Sequence, residues 1–136
     1  MKKTSLSAGE IVRSVLLENE EITARTSRIF PVATPDPSAA RMPYMVYART
    51  ALTTTSVKTG EPSDKISMTI YVFTEDYDSG VELAELVRGT LDHKQSRTRG
   101  VRSSTLVGGD ESYDLEANAY RQSLTFEFQI NKNNNS

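Results

Sequence analysis

Met42-Pro43-Tyr44-Met45-Val46-Tyr47 is an apolar, aromatic run with a proline at its mouth. Proline cannot donate to a ladder from the middle of a strand, so Pro43 marks a strand's first residues and Tyr44 to Arg49 forms its body. Upstream, Ile29 to Val32 reads as a shorter strand, closed by Pro31, Pro35 and Pro37, with a loop over Pro35–Arg41. Downstream, Ile66, Met68, Ile70 and Val72 alternate with Ser67, Thr69 and Tyr71, and Phe73 adds a contact on the second face. Leu124, Phe126, Phe128 and Ile130 alternate with Ser123, Thr125, Glu127 and Gln129. A period of two is that of a half-buried strand.

Helical periodicity interrupts these strands twice. Ser7-Ala8-Gly9-Glu10 has the spacing of a capping box, and Ile11, Val12, Val15 and Leu16 follow as one apolar stripe. Ile22 to Ser27 reads as a short irregular turn. Asp76, Asp78 and Ser79 offer N-caps to a second helix, whose apolar face is Leu83, Ala84, Val87 and Leu91, with Leu86 beside it. That helix should fade near Asp92–Ser96. Val101 to Val107 reads as a strand and Gly108-Gly109-Asp110 as a tight turn needing positive φ, with a polar loop to about Asn118. The order is α-β-β-β-α-β-β. One-faced strands need a cover, so the expected fold is α+β: a mostly antiparallel sheet with two helices packed on one face.

A length of 136 residues fits one domain, expected over 1–130, with 131–136 as a frayed Asn-rich tail. Area scaling gives a folded surface of roughly 7,000 Å² against about 22,000 Å² unfolded, enough for a core without staples. The absence of cysteine excludes disulfides and thiolate metal sites. A net charge of −2 argues against a general nucleic-acid binder. Met1-Lys2-Lys3 could open a secretion signal, but Glu10 and Arg13 break the apolar run, so a cytoplasmic protein is expected. No window approaches the 18 apolar residues of a membrane span.

The residue inventory gives little to chemistry. His93 is the only histidine, placed where an imidazolium would meet the negative end of a helix dipole. Asp110, Glu111, Asp114 and Glu116 cluster around Gly108-Gly109, but without the spacing of a calcium loop. Arg97, Arg99 and Arg102 form a short basic run that could meet a phosphate and more simply makes soluble surface. No catalytic, cofactor-binding or metal-binding residue is therefore assigned, and the chain is not expected to be an enzyme. Thr50–Asp64 differs, since a polar segment that long inside a small domain usually serves a function. Its Thr53, Thr54, Thr55, Ser56, Val57 and Lys58 could extend the flanking strands into an arm that finds partners in another subunit.

Taken in order, the leading helix, Arg28-Ile29-Phe30-Pro31, Pro43-Tyr44-Met45-Val46-Tyr47, Tyr71-Val72-Phe73, the helix with Ala84, Val87 and Leu91, Tyr113-Asp114, and Tyr120-Arg121 before Phe126 and Phe128 carry a resemblance. From about Gly9 to Ile130 the chain resembles the tail-terminator, or tail-completion, proteins of long-tailed phages and prophages. The resemblance implies a non-enzymatic virion component without cofactor or metal. It implies a ring, typically of six copies, that caps the tail tube, ends polymerisation and joins the tail to the head connector. Its partners would be itself, the tail tube protein and the head–tail connector. DNA would pass through without specific binding, and no membrane would be involved. The protein would reside in the virion tail, and in the host cytoplasm during assembly. The alternative is a small dimeric ligand-binding or regulatory α+β module, which requires an apolar pocket between helices and sheet.

Overall fold

β3 (Ser63–Thr74) runs through the middle of a five-stranded sheet whose order is β1-β2-β3-β5-β4. The computed structural model describes residues 3–34, 41–54, 63–93, 95 and 99–131. β2 (Tyr44–Thr54), β5 (Ala119–Asn131) and β4 (Val101–Asp114) join the sheet antiparallel, while the short β1 (Ile29–Pro31) lies parallel to β2. The sheet is thus mixed, with the antiparallel pairs in the majority. β5, last in the sequence, is inserted between β3 and β4.

The alternation read from the sequence sets the two faces. Ile66, Met68 and Ile70 lie opposite Phe128, Phe126 and Leu124 on one face, and Met45 lies opposite Val72 on the same side. Helices α1 (Ala8–Glu18) and α3 (Tyr77–Leu91) cover that face, and Val12, Leu16, Leu83, Val87 and Leu91 complete a single core with it. Each such side chain, fully buried, stabilises by about 1.5–3 kcal/mol relative to exposure. The other face carries small hydroxyls, with Thr69 and Thr125 sharing a 2.9 Å hydrogen bond. At one end it holds an aromatic group: Tyr44 stacks on Phe73 at 4.8 Å, and Phe30 tilts towards Tyr44 at 6.3 Å.

Several boundaries differ from the sequence reading. Ser7 precedes α1 but its side chain caps nothing; Thr4 instead accepts from Leu6 N–H in the 3-10 turn Ser5–Ser7. Glu10 pairs with Lys3 at 2.6 Å rather than reaching back to the cap. The expected irregular turn after Ile22 begins as a short helix, α2 (Glu20–Thr23), because Asn19 Oδ1 accepts from Glu21 and Ile22 N–H. For α3 the working cap is Asp76, whose carboxylate takes Ser79 N–H at 3.0 Å and Ser79 Oγ–H at 2.8 Å. The loop expected over Thr50–Asp64 is shorter at both ends, since β2 runs on to Thr54 and β3 begins at Ser63.

The largest correction is Gly108-Gly109-Asp110, which is strand and not turn. β4 passes through it, with Gly109 opposite Leu124 and Asp110 opposite Ser123 after a bulge between Leu106 and Gly108. Among the described glycines, positive φ occurs at Gly100. The chain reverses later, where Asp114 Oδ1 accepts from Ala117 N–H at 3.0 Å and Asn118 takes φ 51°.

Candidate functional site

A sheet displays unsatisfied backbone groups at its borders, and among the described residues both borders are open. Among the described residues no strand pairs with the outer side of β4. From Val107 to Tyr113 its side chains are exposed. Tyr113 and Tyr77 each meet Tyr120 edge-on, at 5.1 and 6.1 Å, making an exposed aromatic group beside the strand. Leu115 caps the hairpin tip at 82% exposure. Asp110, Glu111, Asp114 and Glu116 belong to this border. Glu111 accepts from Gln122 Nε2 at 2.9 Å and from the Tyr77 hydroxyl at 2.9 Å, which keeps its carboxyl below its ordinary value. The same contact raises the Tyr77 phenol, since ionising it would set two negative charges together.

The opposite border is made by β1 and β2. β1 stops after Pro31, where Val32 N–H donates to Tyr47 O at 2.8 Å. Val32 then takes φ 65°, a left-handed conformation that a β-branched residue adopts only under strain, and it is 76% exposed. Beyond Tyr47, the outer side of β2 from Ala48 to Thr54 has no partner strand among the described residues. Arginines line this border. Arg13 Nε donates to Ile29 O at 3.2 Å, Arg28 Nε to Arg41 O at 2.8 Å, and Arg49 Nη1 to Leu6 O at 2.9 Å. Among the described residues, none of Arg13, Arg28, Arg41 and Arg49 has a carboxylate in ion-pair range. Leu6 and Leu52 add exposed apolar surface.

Thr53 and Thr54 are the exposed last residues of β2, opposite Lys65 and Asp64. Thr55, Ser56, Val57 and Lys58 lie outside the described residues, as does Arg97. His93 follows α3 with φ 55°, its N–H donating to Ser104 O at 2.8 Å and its side chain 80% exposed. Arg99 grips the Glu18 carboxylate at 2.6 and 2.8 Å, tying its loop to the end of α1. Arg102 is an exposed residue of β4. Among the described residues no three His, Cys, Asp or Glu side chains converge as metal ligands. No helix among them is long and apolar enough to cross a membrane.

Between α3 and the β4–β5 ladder lies a cleft of 330 Å³, lined by Val81, Ala84, Glu85, Arg88, Gly109 and Gln122, and a smaller gap of 30 Å³ sits beside Val12, Val101 and Phe128. A larger hollow, 350 Å³, opens on the uncovered face between Val32, Tyr44, Phe73 and the Asp114–Ala117 turn. Burial there raises the Tyr44 phenol, helped by the charge of Asp114.

Sequence reasoning missed both borders. A border is defined by pairing order, and the parallel placement of β1 has no signature in a three-residue strand. The spacing of Arg13, Arg28, Arg41 and Arg49 is regular in neither period, so only the fold brings them together.

No curated protein matches the chain in sequence. Among solved structures it is similar to a chain of the virion of a native gene transfer agent particle. The TM-score is 0.71 at 19% identity, covering 88% of this chain and 91% of that one. At that identity the likeness shows a shared fold. A model of the family described as tail completion protein gp17 matches residues 10–131, nearly the whole chain. The chain belongs to the tail completion protein gp17 family and is a tail component of a phage-like particle.

Proposed function

We propose that the protein closes into a homo-oligomeric ring, six copies by the family resemblance, that caps the tail tube and joins it to the head connector. The carrying observation is the pair of open borders on opposite sides of one sheet. Contacts between two different patches build rings, whereas a two-fold dimer uses the same patch twice. The action is steric and involves no catalysis: the ring occupies the growing end of the tube, stops further addition, and presents a new surface to the connector. Thr53 and Thr54, together with Thr55, Ser56, Val57 and Lys58, supply part of the contact between copies.

The hydroxyl-rich uncovered face suits a lumen. Ser67, Thr69, Ser123 and Thr125 line it, and its cations Lys65 and Arg121 stand within 3.8 and 3.9 Å of Glu127 and Asp110, while phosphate grip rises with each free Lys or Arg contact. The dimeric ligand-binding alternative calls for an apolar pocket between helices and sheet, whereas the 330 Å³ cleft between α3 and the β4–β5 ladder has Glu85, Arg88, Asp110 and Glu111 in its lining. Rings visible by negative stain, alone or on purified tail tubes, are the expected result. Particles made without this protein should carry tails of uncontrolled length that lack heads. Headed tails of normal length in its absence overturn the proposal.

A further inference from the structure

The two borders differ in character, and the difference is complementary. On one side β4 and its hairpin tip expose Tyr113, Leu115 and Tyr120 among Asp110, Glu111 and Glu116. On the other, β1 and β2 expose Leu6, Val32 and Leu52 among arginines that lack carboxylate partners within the described residues. All the large apolar side chains that stand exposed among the described residues fall to one border or the other. Exposed apolar surface collected in this way marks contact surface.

We propose that the acidic β4 border of one copy seats against the arginine-lined β1–β2 border of the next, so that sheet runs on from copy to copy. The occupant of each border is a second copy of this chain, selected by opposite charge and by strand addition along β2 from Ala48 to Thr54. The exposed part of β4 and the open part of β2 lie at opposite ends of the sheet: Ser112 pairs towards Phe73 through Arg121, while Thr53 pairs with Lys65. Joining them staggers successive copies along the strands, and a sheet closing on itself requires a stagger. The inference rests on the ring reading, and adds which surfaces meet and what sorts them.

Two variants test it. Arg41→Glu/Arg49→Glu makes both borders acidic, and Asp110→Lys/Glu116→Lys makes both basic. Circular dichroism and thermal melts first establish that each is folded. On tail tubes and alone, each variant should self-associate at least about 100-fold more weakly than wild type, by repulsion between like borders. A one-to-one mixture should restore rings, because copies can alternate, and native mass spectrometry should find both chains in equal number. Should a double variant fail to fold, the single Arg41→Glu and Glu116→Lys variants, mixed in the same way, give the same readout. Wild-type rings accompanied by variant rings of equal stability, or a mixture that stays apart, overturn the pairing and leave the ring reading standing. Wild type that stays monomeric even on tubes overturns the ring reading, and the pairing with it.

Discussion

Alanine at Gly109 and alanine at Gly108 should have opposite consequences, although the two glycines are neighbours. A Cβ at Gly109 would stand 2.5 Å from the backbone oxygen of Ser123 on β5, a separation that real Cβ atoms do not tolerate. Backbone in a paired ladder cannot swing aside as a side chain can, so β4 must part from β5 locally. Overpacking of this kind costs about 1–3 kcal/mol. A Cβ at Gly108 meets nothing within 4 Å and its φ is not positive, so alanine there mainly restricts the unfolded chain. That stabilises by about 0.4–1 kcal/mol. For a domain of this size about 3–5 °C accompanies each kcal/mol, so Gly109→Ala should lower Tm by about 3–15 °C while Gly108→Ala leaves it level or slightly raised. Differential scanning calorimetry with urea melts measures both. Had the pair formed a tight turn with left-handed φ, each alanine would cost about 1–2 kcal/mol, so equal losses refute the strand reading, as does a silent Gly109→Ala.

Ser5→Ala removes a hydroxyl that donates to the buried Asp64 carboxylate, whose other oxygen has no partner among the described residues. The cost should be about 1–3 kcal/mol in urea denaturation, and a loss below about 0.5 kcal/mol would mean that the 3-10 turn is not docked. Asp76 is held below its ordinary value of 3.8 by Ser79, first through the backbone N–H and then through the hydroxyl. A depressed folded pKa lends stability that is present above that ordinary value and lost as pH falls through the folded one. Asp76→Asn keeps an acceptor but does not titrate, so its Tm should fall less steeply than wild type from about pH 4 to pH 2, and parallel curves would exclude the cap.

The parts of the fold that periodicity governs were legible. β3 and β5 alternate cleanly because one face of each meets the helices, and α1 and α3 carry single stripes for the same reason. Caps were harder, since several hydroxyls and carboxylates compete near each helix start and the local backbone decides among them. Asn19 could have been found: Asn followed by Glu20 and Glu21 is a cap with acids in the first turn. Gly108-Gly109 misled because glycine signals either positive φ or close approach, and Gly109 is the second. The family was readable from the ordered set of elements. The borders were not, because they depend on which strands fail to find neighbours.

The placement of β5 also bears on how the chain comes off the ribosome. Until its last strand is made, β3 and β4 have nothing between them, and Phe126, Phe128 and Ile130 are missing from the core. Their ladders join residues 63–74 to 120–131, so the sheet closes only after β5 has been made. A prematurely ended product has neither a finished interior nor a right-hand neighbour for β3. Only subunits that include β5 can present both margins, so a chain broken before it is left out of the assembly.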